Sequence, residues 1–472
     1  MLFRSDPFNN VWLSTLAAAI PVVVMLAALA FFHIKAHIAA LMGLVAALVV
    51  AIWGFTMPAN TAVSAALYGA AYGLFPIGWI ILNVIFLYQL TDRKGQFTIL
   101  RESIAGISSD RRLQLLLIAF SFGAFFEGAG GFGTPVAVTG AMLIGLGFAP
   151  LAASGLSLIA NTAPVAYGAL GTPIIALAAV TGLDMLELSG MVGRQLPVFS
   201  LIVPFWLIWA FCGFRGMIAI WPAVLVAGAA FAVPQYFISN FHGPWLVDVG
   251  AAVCSMVCLT LFLRVWQPKE IWTSAAGTFE GSDNADALAG GGHHYTRAEV
   301  MNAWTPWLIL SVIVLLWGIP EWKKFLDSVS LIKIEWPNLH MLVQKMPPVS
   351  ATPKIEEAIF KLNWLSATGT GIFIASIASA FLMGYRVREL LVVYWDTLKL
   401  LRYSLLTIAA MLALGYATRF SGVDSTLGLA FANTGVLYPF FGTLLGWLGV
   451  ALTGSDTASN VLFGGLQRTS AE

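Results

Sequence analysis

The chain has 472 residues, of which 59% are hydrophobic and 10% are charged, and its formal net charge is +1. Soluble globular domains carry about 25% charged residues, so the composition excludes a soluble domain, and the absence of a basic cluster gives no sign of a nucleic-acid partner. Apolar runs of about 20 residues recur along the chain, and each is long enough to cross a bilayer core. We therefore expect an all-α polytopic membrane protein whose surroundings are the lipid bilayer.

The predicted spans follow the apolar runs in chain order. The first run is too long for the core of a signal peptide and lacks a small-residue cleavage pattern, so we interpret it as a retained span. The predicted spans are residues 11–32, 36–56, 68–90, 195–213, 216–237, 245–266, 303–319, 363–384, 403–418 and 427–452. Two polar stretches, residues 267–302 and 320–362, interrupt the series, and we interpret both as connections, the second covering one membrane face.

Residues 113–182 do not follow the pattern of a simple span. The apolar run 113–126 has 14 residues, and a helix of that length covers about 21 Å, which is short of a full crossing. The glycine-rich stretch EGAGGFG follows, and Thr134 before Pro135 has the form of an N-cap with a first-turn proline. The pattern predicts a re-entrant hairpin at 113–149. Prolines break a second apolar run in NTAPVAYGALGTPI, and broken helices of this kind are typical of transporter sites.

The chain has weak internal symmetry at an offset of about 327 positions. Gly95 aligns with Gly422, and with one residue of slip EGAGGFGTP lies over TGSDTASNV. Basic segments lie after the third span in the first copy (residues 91–112) but before the corresponding span in the second copy (residues 384–402). Because short basic loops are cytoplasmic, the pattern predicts two inverted-topology repeats, with the amino terminus outside.

These patterns divide the chain into three parts. Residues 1–213 are the expected first inverted repeat, residues 214–302 provide linking spans and a cytoplasmic loop, and residues 303–472 are the expected second inverted repeat. The element of the second repeat that would match Asn161 falls beyond Glu472, so we expect this repeat to be incomplete at the carboxy terminus.

Two inverted copies would bring their hairpin tips together near the membrane midplane. Helix amino termini at Thr134 and near Asn460 would offer free N–H groups and positive dipole ends to an anion, and glycines would let the backbone approach it closely. The candidate substrate-binding residues are small or carry a hydroxyl or amide group. They are Gly130, Gly131, Thr134, Asn161, Thr162, Ser455, Thr457, Ser459 and Asn460.

Glu127 and Asp456 are the candidates for proton coupling. An ionised carboxylate at the centre of a membrane helix costs about 2.5–3.5 kcal/mol, and protonation removes much of that cost. A carboxyl that binds a proton with substrate and releases it inside is a symport coupler. Alternatively, Glu127 caps the loop of the second copy or pairs permanently with an arginine. Arg194 and Arg419 are the candidate carboxylate partners, although snorkelling near span ends also accounts for them.

Several motifs together resemble those of the bacterial lactate permease family. They are EGAGGFGTPVAV, NTAPVAYGALGTPI, MVGRQLP, WLSATGT and LTGSDTASN, and the match runs along nearly the whole chain. The resemblance implies uptake of L-lactate, D-lactate or glycolate with protons across the inner membrane, with the substrate held between inverted repeats. We expect no cofactor and no metal, and the oligomeric state is left open.

Composition and spacing alone indicate only a secondary transporter for a small anion. A sodium-coupled di- or tricarboxylate transporter would use similar broken helices, and two acidic tips favour protons over sodium weakly. An anion channel, the less favoured reading, needs a continuous polar stripe, whereas the polar tips here are isolated. An enzyme is disfavoured because no HExxH motif occurs and no serine and histidine pair lies within the spans.

Overall fold

The computed structural model describes residues 6–131, 134–272, 295–346, 349, 353–453 and 455–471. Most of these residues are helical, as the hydropathy predicts. The helices up to the long polar loop are α1 (Val11–Ala30), α2 (Ala36–Val49), α3 (Ala59–Tyr72), α4 (Trp79–Arg93), α5 (Gln96–Ala105), α6 (Arg111–Leu115), α7 (Gly123–Ala129), α8 (Thr134–Gly145), α9 (Pro150–Asn161), α10 (Gly168–Thr181), α11 (Met185–Ala219), α12 (Trp221–Phe241) and α13 (Val247–Val265). Wider π-helical turns continue α2 to Gly54, join α3 to α4, and join α6 to α7.

The second part of the chain adds seven helices and four short strands. The helices are α14 (Arg297–Gly318), α15 (Pro320–Ser330), α16 (Thr368–Leu382), α17 (Val387–Ser421), α18 (Val423–Ala432), α19 (Tyr438–Thr453) and α20 (Asp456–Ala471). The strands are β1 (Leu331–Glu335), β2 (Val343–Lys345), β3 (Lys354–Glu356) and β4 (Ile359–Asn363).

The strands correct the expectation of an all-α protein. β1 pairs antiparallel with β4, and β2 pairs antiparallel with β3. Apolar and polar residues alternate in LIKIE and IFKLN, and a period of two is typical of strands, although Ile332 and Ile334 remain exposed. The polar stretch 320–362 is therefore a small folded cap, and the protein is mostly helical.

Nine helices in the described part of the chain are long and apolar enough to cross a membrane. Two further pairs of helices pass the same test but are sharply bent: Pro150–Asn161 with Val165–Thr181, by 68°, and Val423–Ala432 with Gly435–Ala451, by 111°. Counting each bent pair as one span gives up to eleven. The broken run predicted around NTAPVAYGALGTPI is confirmed, whereas the single straight span predicted at 427–452 is wrong.

The helix before the glycine-rich stretch is longer than predicted. It runs from Arg111 to Ala129, so it has 19 residues and is fully buried. The predicted run covered only residues 113–126, and Arg111 and Arg112 precede it. Asp110 accounts for the difference, since it accepts from the backbone N–H of Arg112 and pairs with its guanidinium at 2.7 Å. The arginine charge is thereby compensated inside the first turn.

Two helical runs of 35 residues, Ala59–Arg93 and Val387–Ser421, lie antiparallel to each other along their length. Near one end, a Cβ at Gly69 would lie within 2.8 Å of three backbone atoms of Leu412 and Ala413, so only glycine fits there. At the other end, Arg93 pairs with Asp396 at 2.8 Å. The end of α4 therefore lies beside the first part of α17.

Two further contacts of these runs are reciprocal. α2 packs on α17, and α16 packs on α4, where Asn83 donates to the carbonyl of Gly369 at 3.1 Å. The following short helices, α5 and α18, begin and end 327 positions apart. Each follows a glycine in the left-handed region, Gly95 with φ 70° and Gly422 with φ 101°.

Candidate functional site

The carboxyl of Glu127 lies in the middle of the helical core. Glu127 sits near the end of α7 and is 6% exposed. The side chain of Asn161, at the end of α9, lies beside it. A Cβ added at Gly168 would collide with Oε1 of Glu127, so the carboxyl also lies directly against the first residue of α10. Glu127 and Asn161, both selected from the sequence, therefore lie together at the start of α10.

The start of α10 is the meeting point of both predicted tips. Ala169, Leu170 and Gly171 are all left-handed, with φ of 45°, 55° and 78°, and consecutive left-handed residues are strained. Asn460, in α20, donates to the carbonyl of Pro173 at 3.3 Å. The carboxyl of Asp456 is near enough to interact electrostatically with Glu127. Residues from both halves of the chain therefore surround this strained turn.

The N–H groups of the first-tip glycines are used within the fold. The N–H groups of Gly130 and Gly131 both donate to the carbonyl of Phe126, at 2.7 and 3.2 Å, because they close the last turn of α7. A Cβ at Gly131 would lie 3.4 Å from Oε1 of Glu127, so this residue does line the carboxyl. The helix predicted to start at Thr134 begins there, while the side chain of Thr134 lies outside the described residues, as do residues 132 and 133.

The hydroxyl groups of the second tip are used mainly within the fold. The helix predicted to begin near Asn460 begins instead at Asp456, because Ser455 caps it by accepting from the N–H of Ala458 at 3.3 Å. Ser459 donates to the carbonyl of Gly446 in α19 at 3.0 Å. Thr457 is buried and, with Ser455, lines a separate crevice of about 170 Å³ beside α17. Gly454 lies outside the described residues.

Three predicted residues lie away from Glu127. Thr162 is exposed and donates to the carbonyl of Ile159 in its own helix at 2.7 Å. Arg194 is exposed and donates to Oδ1 of Asn240 at 3.2 Å. Arg419 pairs with a carboxylate, but with that of Glu356 at 3.2 Å. Within the described residues, no lysine or arginine forms an ion pair with Glu127 or Asp456, so the alternative of a permanent arginine partner for Glu127 is not supported.

Asp248 is a buried carboxyl next to this site that the sequence reasoning did not select. It is the second residue of α13 and is 1% exposed. Glu127 interacts electrostatically with it. An acid at the beginning of an apolar run usually marks a helix amino terminus. The sequence pattern therefore did not indicate that Asp248 lies beside Glu127.

A charged cavity of about 520 Å³ lies at the other end of α10. Arg419 donates to the carbonyls of Ala179 and Val180 at 3.3 and 3.1 Å. Glu356, from the strand-bearing cap, pairs with Arg419 and, at 3.1 Å, with Lys345. Burial alone would raise the pKa of the Glu356 carboxyl, but the two cations and their hydrogen bonds outweigh burial and hold its pKa below the ordinary 4.5.

Glu356→Gln is expected to destabilise the protein by about 1–3 kcal/mol at neutral pH, because it removes a buried charged acceptor shared by two partly buried cations. A carboxyl whose pKa is depressed by folding stabilises above its unfolded pKa and loses that effect as the pH falls through the folded pKa. The melting curves of variant and wild type should therefore converge in acid below about pH 4.5. Glu357→Gln, an exposed neighbour, is the control. Equal effects of both variants at neutral pH would contradict the ion-pair argument.

Within the described residues, nine to eleven apolar spans, broken helices among them and buried carboxyls without ion pairs indicate the class: a multi-pass membrane transporter. The family model of L-lactate permease matches residues 14–472, and the chain belongs to that family.

Curated relatives match nearly the whole chain. Glycolate permease GlcA of Escherichia coli (strain K12) is 47% identical over 475 residues, covering 99% of this chain and 85% of that protein. L-lactate permease of the same strain is 45% identical over 472 residues, with the same two coverages. L-lactate permease of Bacillus subtilis (strain 168) is 44% identical, covering 98% of this chain and 84% of that protein. No solved structure matches.

Proposed function

We propose that this chain takes up lactate or glycolate across the bacterial inner membrane by proton symport. The observation that carries the proposal is the position of Glu127, a buried carboxyl that lies against Gly168 and forms no ion pair among the described residues. A coupling acid must be able to lose and regain its proton, and a permanent cation would hold it ionised. The names of the relatives, lactate and glycolate permeases, give the class of anion.

The proposed substrate site lies where the two halves meet, at the strained turn before the straight part of α10. Asn161 and Asn460 carry amide groups suited to a carboxylate or a hydroxyl. Glu127 and Asp456 are the proposed proton acceptors on either side. Because the two carboxyls interact with each other, a bound proton on one of them lowers the repulsion felt by an incoming anion.

We also propose that the two halves are inverted repeats. The antiparallel 35-residue runs and the reciprocal packing of α2 and α16 support this proposal. When a helix of the first half packs on a run of the second half, a two-fold relation requires the matching helix of the second half to pack on the matching run of the first half. The offset of 327 positions between α5 and α18 agrees with it. Residues 1–213 and 303–472 are the proposed repeats, and residues 214–302 link them.

Purified protein in liposomes tests the proposed transport. Labelled L-lactate, D-lactate and glycolate are offered with a proton gradient alone and with a sodium gradient alone. A one-unit pH gradient is worth about 1.4 kcal/mol per proton, so coupling to one proton accumulates substrate about tenfold. Accumulation driven only by sodium, or inhibited by di- and tricarboxylates, would favour the sodium-coupled carboxylate transporter. Uptake that never exceeds equilibrium would favour a channel.

Gly95 and Arg388 are expected on the same, cytoplasmic side, because the ion pair of Arg93 with Asp396 places their segments together. Each is replaced by cysteine in a chain whose native cysteines, Cys212, Cys254 and Cys258, are changed to alanine. An impermeant thiol reagent should label both only after the cells are opened. Lys333→Cys, in the cap, is the control and should react in intact cells. Reaction of Gly95→Cys and Arg388→Cys from opposite sides would remove the inverted-repeat proposal.

A further inference from the structure

Asp248 is a buried acid that no hydrogen bond satisfies. Its two carboxyl oxygens are both inaccessible, and neither has a hydrogen-bond partner in the described part of the protein. A buried polar group without a partner costs about 1–3 kcal/mol, and more when it is charged. Such a group in a folded protein calls for a functional explanation.

The two ordinary explanations for an acid at this position fail. An aspartate that caps a helix accepts from backbone N–H groups, as Asp184 does from Leu186 and Glu187 at 2.9 and 3.0 Å. Asp248 accepts from none. No lysine or arginine of the described residues forms an ion pair with it. A role in capping or in a structural salt bridge is therefore not supported.

The surroundings of Asp248 point to Glu127. A Cβ at Gly128 would lie 2.7 Å from the Cβ of Asp248, so α7 and α13 touch at this residue, next to Glu127. The titratable groups that interact with Asp248 are Glu127, from α7, and Tyr167, from the segment before α10. Two neighbouring carboxyls in an apolar core repel each other when both are ionised, and such pairs can share a proton.

We infer that Asp248 and Glu127 form one buried carboxyl pair that carries the transported proton. In the conformation described here, the unsatisfied Asp248 carboxyl holds that proton and Glu127 is the member that faces Asn161 and the second half. Only O–H bonds change: one proton is taken from water on the uptake side with the substrate anion and is given to water on the other side. This inference rests on the proposed proton symport and names a residue that the symport requires.

Variants of Asp248 distinguish a role in proton coupling from a role in folding. The side chain makes no hydrogen bond, so its replacement by alanine breaks none, and asparagine keeps its shape. Both variants are expected to melt at or above the wild-type temperature, because an unsatisfied acid has been removed. Under a one-unit pH gradient, the wild type should accumulate lactate about tenfold, whereas both variants should only equilibrate it. A trapped pH dye should report proton entry with lactate in the wild type alone.

Asp184→Asn is the matched control, since asparagine caps a helix as well as aspartate, and it should accumulate lactate as the wild type does. Tenfold accumulation with unchanged proton entry in either Asp248 variant would overturn the inference and leave proton symport intact. A lower melting temperature in both variants would show a structural role and would also overturn it. Failure of the wild type itself to accumulate lactate under the pH gradient would overturn the proposed symport, and with it the inference.

Discussion

Glu127→Gln should abolish proton-driven accumulation of lactate, reducing it from about tenfold to equilibrium under a one-unit pH gradient. Glutamine has the shape of protonated glutamate, but it cannot bind and release a proton. Accumulation in proteoliposomes measures the effect. Lactate exchange across equal concentrations, measured in parallel, reports whether the variant is folded and binds substrate.

Asp456→Asn should give the same loss if the second tip shares in coupling. Glu187→Gln, an exposed acid in the first turn of α11, serves as the control for a change of charge and should accumulate normally. Normal accumulation with normal pH dependence in both tip variants would mean that neither acid carries the proton.

Gly171→Ala is expected to be the most damaging of the single methyl additions near the site. Alanine at φ 78° is strained by about 1–2 kcal/mol, and its Cβ would lie 2.5 Å from the Cβ of Pro244 and 2.8 Å from the carbonyl oxygen of Pro244. Overpacking of this kind costs about 1–3 kcal/mol more. Because the strained turn lies against Glu127, the displacement should also abolish uptake. Melting temperature and lactate uptake are the two measurements.

Gly95→Ala separates the cost of backbone strain from the cost of overpacking. Gly95 also has a positive φ, of 70°, but nothing lies within 4 Å of an added Cβ, so alanine there bears only the backbone strain. Its melting temperature should fall less than that of Gly171→Ala, and its uptake should persist. Equal losses in the two variants would show that contact with Pro244 contributes nothing.

The elements that hydropathy controls could be predicted from the sequence. Nearly every apolar run became a helix, and the helix start at Thr134 followed from a threonine before a proline, which is a local signal. The broken element around Asn161 was also predictable, since prolines inside an apolar run require a buried or wet surrounding. Span limits failed where a charge was compensated, as Arg112 is by Asp110, because compensation depends on contacts that hydropathy does not contain.

The candidate site was less predictable, because one residue type serves several purposes. Ser455 and Ser459 have hydroxyls that suit a ligand, yet one caps α20 and the other binds the carbonyl of Gly446. Arg419 looked like a partner for a tip acid, but its carboxylate partner is Glu356, in a cap whose strands the apolar pattern did not predict. Asp248 stands 121 positions after Glu127, and only the packing of α13 on α7 reveals that they are neighbours.

The crossing at Gly69 has a consequence for recombining related carriers. The atoms that exclude a side chain there belong to the main chain around residue 412, 343 positions away. In a membrane, such a crossing is stabilised by close van der Waals contact. Here the contact is with main-chain atoms, so it does not depend on the side chains at positions 412 and 413. Hybrids that join the first half of one relative to the second half of another should therefore assemble at this crossing without matched substitutions, provided that the first half supplies the glycine.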